Sequence, residues 1–279
     1  MPTVTSHLLD PESARAGLRS AQARLAESAR LARTSVAHLA AVRESALACA
    51  GYLAALEPDG ADLSRALRLG AQAAAATFAL AARTYGRLEV PLGPGAPLTH
   101  AATGPTPAAH ARAWREGFLL AAVSRDRRSL GALAKTPAGL LTRTSDGQEY
   151  LPRYAVLLQG LWAHAPDVPQ RLVAVLEATA AGRISGAAED YALNIIVAEV
   201  ELLYRFLIDD RDAFAASLVW ALERHRAYFS TPGRVTDPAG YLALGPAAVC
   251  AFAHEAGWPI TVTSPYLPPR LISGELPTP

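Results

Sequence analysis

The chain has 279 residues, of which 51% are hydrophobic and 18% are charged, so it can bury a large core. Its formal net charge of +1 excludes an overall field that would attract nucleic acid or an anionic membrane. The N-terminus lacks a basic segment followed by an apolar one, and no uncharged apolar run reaches the ~18 residues needed to cross a bilayer. We therefore expect a cytoplasmic protein with neither nucleic-acid nor membrane partners.

The N-terminal part of the chain predicts three helices. Asp10 followed by Pro11 is typical of a helix start, because the carboxylate caps free N–H groups and proline suits the first helical position. Apolar residues then recur every three or four positions, first from Ala14 and again over residues 36 to 56. The break "EPDG" ends the second stripe, and a third helix is predicted over residues 63 to 78.

The segment "GRLEVPLGPGAPLTHAATGPTP", residues 86 to 107, interrupts the helical pattern. It holds too much glycine and proline for a continuous helix, although a short extended piece at 88 to 92 is compatible with it. We predict a long crossing loop here. It is the only predicted boundary within an otherwise single all-helical domain covering residues 1 to 279.

Three later stretches have the same form, an apolar helix, a short polar break with an aspartate, and a second helix. The aspartates are Asp126, Asp167 and Asp210, at intervals of 41 and 43 residues. A period near 42 is typical of stacked αα-hairpins. We predict an all-α fold, either an irregular helical solenoid or an irregular bundle. The ending "WPITVTSPYLPPRLI" predicts a short extended C-terminal arm packed on the helices.

The string "DDRDA" in the third hairpin resembles part of the aspartate-rich metal box of helical prenyl-transfer and terpene-cyclising enzymes. The aspartate that this box needs at its fifth position is replaced by Ala213, and no second metal motif follows. Capping explains the carboxylates better, with Asp209 or Asp210 at the start of a helix near Arg211. The sequence predicts no metal site and no cofactor.

A partner-binding face is compatible with capping. Between residues 185 and 215 seven carboxylates stand against two arginines, a local charge near −5. Such a face could steer a basic partner protein, although a plain solvated face explains the same residues. His225 lies in a charged helical stretch and is expected at the surface. The candidate partner-binding residues are Glu189, Asp190, Glu199, Asp209, Asp210, Asp212 and His225.

No pattern in the sequence indicates catalysis. His254-Glu255 is not followed by a second histidine one turn later, and no GxSxG, GxxxxGK[ST] or zinc spacing is present. The four tryptophans fall at apolar helical positions and are expected in the core, with an exposed one able to anchor an interface. We therefore expect a protein that is not an enzyme.

Two long stretches together resemble the immunity protein 49 family of bacterial polymorphic toxin systems. They are "LNIIVAEVELLYRFLIDDRDAFAASLVWALERHRAYF" and "LALGPAAVCAFAHEAGWPITVTSPYLPPRLI", and "REGFLLAAVSRDRRSLGALAKTP" adds to the likeness. The likeness covers roughly residues 110 to 270, and Pro265 departs from it where an acidic residue is expected. The residues that carry it are Asp190, Leu193, Asn194, Tyr204, Arg205, Phe206, Leu207, Phe214, Ala221, Leu222, His225, Tyr228, Leu244, Gly245, Pro246, Gly257, Pro259, Tyr266, Leu267 and Pro268.

The resemblance implies a helical protein that binds and blocks a cognate toxin of its own cell. It transfers no functional residues to particular positions. Two other functions remain compatible with the residues alone. One is a TPR-like helical scaffold for another protein, and the other is a helical metabolic enzyme.

Overall fold

The computed structural model is predominantly helical, as predicted. It describes residues 1–7, 9–144, 149–180, 182–184 and 187–277, with the backbone alone for residues 187 and 188. The chain divides into two compact units. The first consists of residues 1–20, 47–65 and 179–279, and the second of residues 21–46 and 66–178. That the whole chain forms a single domain stays a prediction.

Three long helices open the chain. Helix α1 spans Pro11–Ala32, α2 spans Leu39–Leu56 after a 3-10 turn at Val36–His38, and α3 spans Ala61–Ala81. The predicted start of α1 is confirmed, since the carboxylate of Asp10 accepts from the backbone N–H groups of Glu12 at 3.2 Å and Ser13 at 3.3 Å. These hydrogen bonds satisfy N–H groups that have no partner within the helix.

The predicted crossing loop contains a β-hairpin in the second unit. Its first strand overlaps the extended piece that the sequence allowed at 88 to 92, whereas the pairing with a second strand was not predicted. Strands β1, Arg87–Val90, and β2, Leu98–Ala101, pair antiparallel with Val90 opposite Leu98. The glycines at 93 and 95 have φ of +70° and +106°, which lets the chain turn back between the strands. The hairpin forms because its apolar residues enter a core cluster made by Ala32, Leu39, Val42, Ala73, Ala76, Leu80, Val90, Leu92 and Leu98.

The remaining helices of the second unit follow the hairpin in chain order. They are α4, Ala111–Val123; α5, Arg127–Ala134; α6, Ala138–Arg143; α7, Tyr150–Trp162; and α8, Val168–Ala178. Helix α4 packs against α5, and α7 packs against α8. Helix α7 also contacts α4, α5 and α6, so it is the central element of this group.

The later helices belong to the first unit. They are α9, Ala187–Tyr191; α10, Val197–Leu207; α11, Arg211–Phe229; α12, Leu244–Glu255; and α13, Pro269–Ser273. A π-helical segment, Ala192–Ile196, joins α9 to α10, and a 3-10 turn, Pro238–Tyr241, precedes α12. Helix α10 packs against α11 and α12, and α13 packs against α12.

The three predicted helical hairpins are present as α4–α5, α7–α8 and α10–α11. Their turns share one geometry, in which a non-glycine residue with positive φ is followed by an N–H that bonds to the carbonyl five residues earlier. The positive-φ residues are Arg125, His164 and Asp209. The donor and acceptor pairs are Asp126 with Ala121 at 2.9 Å, Ala165 with Gly160 at 2.9 Å, and Asp210 with Arg205 at 3.0 Å. The helical-repeat organisation of the chain stays a prediction.

The extended C-terminal arm is confirmed for its first part, residues 259 to 264, whereas a turn and helix α13 replace the extended chain predicted after it. Thr263 forms a parallel bridge with Thr3, in which its N–H donates to the carbonyl of Pro2 at 3.0 Å and its carbonyl accepts from Val4 at 3.0 Å. The arm therefore ties the first residues of the chain to the last helices of the same unit.

One apolar segment, Val36–Leu56, is long and apolar enough to cross a membrane, with a mean hydropathy of 1.3. In the most apolar 18 residues of this segment, 56% is buried inside the protein, which is typical of a core helix. Cys49 in α2 and Cys250 in α12 are both buried, and neither forms a disulfide.

Candidate functional site around helix α11

The acidic turn before α11 is a helix cap, as predicted. The carboxylate of Asp210 accepts from the backbone N–H of Ala213 at 3.1 Å and lies 3.1 Å from the guanidinium of Arg205. Asp209, with φ of +57°, lies 3.0 Å from Arg211. The two aspartates thus have different roles. Asp210 accepts a hydrogen bond from a free backbone N–H at the start of the helix, whereas Asp209 occupies the left-handed position of the turn.

These two roles predict opposite effects on stability. Asp210→Ala removes the cap and should lower the free energy of unfolding by about 1 kcal/mol. Asp209→Gly relieves a left-handed backbone and should raise the free energy of unfolding by up to ~1 kcal/mol, since its exposed ion pair contributes little. Urea unfolding of both variants at neutral pH measures this. Equal losses in both variants would contradict the assignment.

A second group of polar side chains lies at the other end of α11. Asp190 in α9 pairs with Arg234 and accepts a hydrogen bond from the side chain of Asn194 at 2.7 Å. The guanidinium of Arg234 lies 3.9 Å from the centre of the Tyr228 ring, and Tyr191 meets the same ring edge-on at 5.8 Å. Asp190 and Tyr228 therefore hold Arg234 in one orientation.

The predicted acidic face is two groups of carboxylates and not one strip. From Asp212 to Tyr228 the helix rises by about 24 Å at 1.5 Å per residue. Arginines also neutralise part of the charge, since Arg205, Arg211 and Arg234 pair with four of the carboxylates. The paired carboxylates are Asp190, Glu201, Asp209 and Asp210. The local field is therefore weaker than the sequence count indicates.

Glu199, a predicted partner-binding residue, lies in the interior with 0% of its surface exposed. A Cβ atom on Gly245 would come 1.8 Å from its carboxylate oxygen Oε2. The glycine at the start of α12 therefore makes room for this carboxylate, at the helix end that favours negative charge. Glu199 packs α10 against α12 and is not available to a partner, which corrects its predicted position.

His225 is also buried, with 5% exposed, instead of lying at the surface. Its Nε2 atom lies 2.9 Å from the carbonyl oxygen of Gly240. Burial lowers the pKa of His225 from 6.5 to about 4, so the ring is neutral at physiological pH. The rings of Phe229 and Tyr266 lie 4.7 Å and 4.9 Å away. Sequence reasoning misplaced His225 because the charged residues beside it occupy the other faces of the same helix.

His7 belongs to the same buried cluster and fixes the N-terminal segment. Its backbone N–H donates to the hydroxyl of Tyr266 at 2.7 Å, and its Nδ1 lies 2.8 Å from that hydroxyl. The ring stacks on Tyr241 with the ring centres 5.2 Å apart. Burial lowers the pKa of His7 and raises the pKa of Tyr266 to about 12. Both groups are therefore neutral at pH 7 and serve packing.

Sequence reasoning missed one exposed group in the middle of α11. Trp220, expected in the core, is 37% exposed, and the guanidinium of Arg224 lies 5.8 Å from the centre of its ring. Arg224 and Tyr228 follow at intervals of four, which places the three side chains on one face of the helix. The interval of four was the available signal in the sequence.

The described residues contain no group of three or more histidines, cysteines or acids close enough to hold a metal ion. Two grooves of the first unit, of about 190 Å³ and 550 Å³, lie beside the C-terminal arm. Their linings contain apolar residues, prolines, serines and threonines, with His254, Tyr241 and Tyr266, and no carboxylate. The grooves lack the converging acids that a helical metal-dependent enzyme needs.

The fold and the site define an α-helical protein with groups of polar and aromatic side chains on and beside helix α11. The family model described as Immunity protein 49 matches residues 57–271, well over half of the chain, and the chain belongs to that family. The match confirms the resemblance and starts before the expected region, so α3 and the β-hairpin are included. No curated protein and no solved structure gave a match. Membership indicates an immunity role, which implies a protein partner.

Proposed function

We propose that this protein binds a cognate toxin of a bacterial polymorphic toxin system and neutralises it by covering the surface that the toxin needs. Family membership carries the proposal. Neutralisation by occlusion needs a stable, complementary surface and no turnover, and the packing of α11 against α10 provides a stable surface. We place the protein in the cytoplasm, where a toxin would otherwise act on its own cell. In this proposal the protein is not an enzyme and needs no cofactor.

The exposed acidic residues are part of the proposed toxin-binding surface. Of the predicted set, Glu189, Asp190, Asp209 and Asp212 remain exposed, and Asp210 is half-buried. They lie at the two ends of α11. Carboxylates at the edge of an interface act mainly on the rate of association with a basic partner, because they act over several ångströms before contact.

Co-expression tests this function. The product of the gene adjacent to this one should stop growth when it is produced alone, and cells producing both proteins should survive. The two proteins should also purify together as a complex that buries roughly 1,200–2,000 Å². Survival without a complex would favour an indirect action. Binding to an adjacent product that is not toxic would favour a helical scaffold, which the αα-hairpins also suit.

A further inference from the structure

The outward face of α11 carries aromatic and arginine side chains in a row. We use the name α11 face for Trp220, Arg224, Tyr228 and the neighbouring Arg234. Trp220 is 37% exposed, and Arg234 keeps 33% of its side chain exposed beside Tyr228. Tryptophan, tyrosine and arginine are the residues most enriched among those that dominate binding energy in protein interfaces. The composition of this face therefore differs from that of an ordinary solvated helix.

The side chains of the α11 face are held before any partner arrives. Arg224 lies 5.8 Å from the centre of the Trp220 ring, and Arg234 lies 3.9 Å from the centre of the Tyr228 ring. Asp190 holds Arg234 from the other side through an ion pair. Long side chains lose conformational entropy when they are immobilised in an interface, and here the stacking already restricts them. A partner would therefore bind these groups at a reduced entropic cost.

The centre of the α11 face carries an uncompensated positive charge. Within the part of the chain that the structure describes, Arg224 forms no ion pair. Its Nε atom is enclosed, so a partner can reach only the other N–H groups of the guanidinium. Arg234, in contrast, already shares a carboxylate with the protein. A guanidinium pairs best with a planar carboxylate that accepts two N–H groups at once. Charge complementarity therefore calls for an acidic side chain opposite Arg224, beside an apolar group that covers Trp220.

The position of these residues agrees with a central role. Helix α11 has 19 residues and is therefore about 28 Å long, and Trp220 lies near its midpoint. One side of a standard interface covers roughly 800 Å², a patch of about the same width. A partner centred on Trp220 would reach both acidic groups at the ends of the helix. The residues that dominate binding lie near the centre of such a patch, with charged residues around them.

We propose that Trp220 and Arg224 form the centre of the toxin-binding surface. The toxin then contributes a carboxylate to Arg224 and an apolar side chain to Trp220. This inference rests on the proposed function, because it concerns the surface through which the same toxin is blocked.

Binding of the purified adjacent gene product to single variants tests the proposal. Trp220→Ala and Arg224→Ala should each weaken the Kd by roughly 30-fold or more, mainly through faster dissociation. Arg226→Ala is the matched control, because this arginine lies on the same helix two residues further on, faces away from Arg224, and bonds to Thr5. The Arg226→Ala variant should leave the Kd within about threefold of the parent, because residues outside the centre of an interface contribute little to the binding energy.

Two further variants distinguish a loss of affinity caused by missing contacts from one caused by misfolding. Trp220→Phe keeps an aromatic ring and should retain most of the affinity, and Arg224→Glu should weaken binding more than Arg224→Ala because it repels the partner carboxylate. Circular dichroism should give all variants the melting temperature of the parent within a few degrees. If the parent binds and the alanine variants at 220 and 224 bind within threefold of it, the α11 face is not the binding surface, although the proposed function stands. If the parent itself neither binds nor protects, both proposals fail.

Discussion

The folded state should lose about 3 kcal/mol of stability as the pH falls from 6.5 to 4, because His225 must stay neutral in the interior. Its pKa is lowered from 6.5 to about 4 by burial, while in the unfolded chain the imidazole takes its ordinary value. Between these two values the unfolded state binds more protons than the folded state. This contribution is fully present above pH 6.5 and is lost as the pH falls towards 4.

His7 acts in the same direction, since burial also lowers its pKa. Its proximity lowers the pKa of His225 further, so protonation of either ring opposes protonation of the other. The carbonyl of Gly240, 2.9 Å from the Nε2 of His225, favours the charged form but does not offset burial. Acid should therefore loosen this cluster, and with it the attachment of the N-terminal segment at Tyr266.

Denaturant unfolding at several pH values between 7 and 4.5, together with an NMR titration of the imidazole signals, measures this effect. His225→Gln places an amide donor near the Gly240 carbonyl, where Nε2 of His225 lies, and should be less stable at pH 7 but show a flatter dependence on pH. His254→Gln is the matched control, because His254 is exposed on α12 and its replacement removes no buried imidazole. A His225→Gln variant with the same pH dependence as the parent would refute the assignment to His225.

The second large effect is expected at Gly117 in α4. A Cβ atom there would lie 2.2 Å from the Cβ atom of Ala74 in α3, whereas carbon atoms in contact are about 3.5–4.0 Å apart. Gly117→Ala should therefore lower the free energy of unfolding by about 3 kcal/mol, the upper end for overpacking, because two helices must separate. Denaturant unfolding at pH 7 measures the loss.

Gly131 supplies the matched control in the neighbouring helix α5 of the same unit. No atom lies within 4 Å of a Cβ built there, so Gly131→Ala should raise stability by roughly 0.5–1 kcal/mol through helix propensity. Ala74→Gly combined with Gly117→Ala removes the colliding atom. The double variant should regain most of the lost stability, less about 1 kcal/mol for the added helical glycine. A double variant no better than Gly117→Ala alone would contradict the contact.

Sequence periodicity predicted much of the fold because helix formation depends largely on neighbouring residues. The Asp10-Pro11 start, the turn at "EPDG" and the three hairpins with an aspartate at the turn were all predicted and are present. The β-hairpin was not. Its strands have only four residues each and are stable because Val90, Leu92 and Leu98 enter a core contributed by α1, α2 and α3. Contacts so distant in sequence leave no periodic signal.

In the candidate site, too, local sequence patterns predicted only part of the structure. Local chemistry predicted correctly that Asp209 or Asp210 caps α11, and the structure assigns the cap to Asp210. It did not predict that Glu199 and His225 are buried or that Trp220 is exposed, because charge and polarity in a helical stretch do not identify the inward face when several helices pack around it. Glu199 fits inside only because Gly245, 46 residues later, lacks a side chain. Such complementarity exists only after the helices have packed.

The sequence by itself determined the helical class, the starts of α1 and α11, the break at "EPDG" and membership of the immunity protein 49 family. Each of these depends on residues close together in the chain or on the order of several segments. Only the tertiary structure decided which polar side chains are buried, how the acidic residues divide between the two ends of α11, and which aromatic residues face outward. The burial of side chains and the formation of ion pairs arise from long-range packing. The free-energy cost of burying a charged or polar side chain depends on residues far away in the sequence.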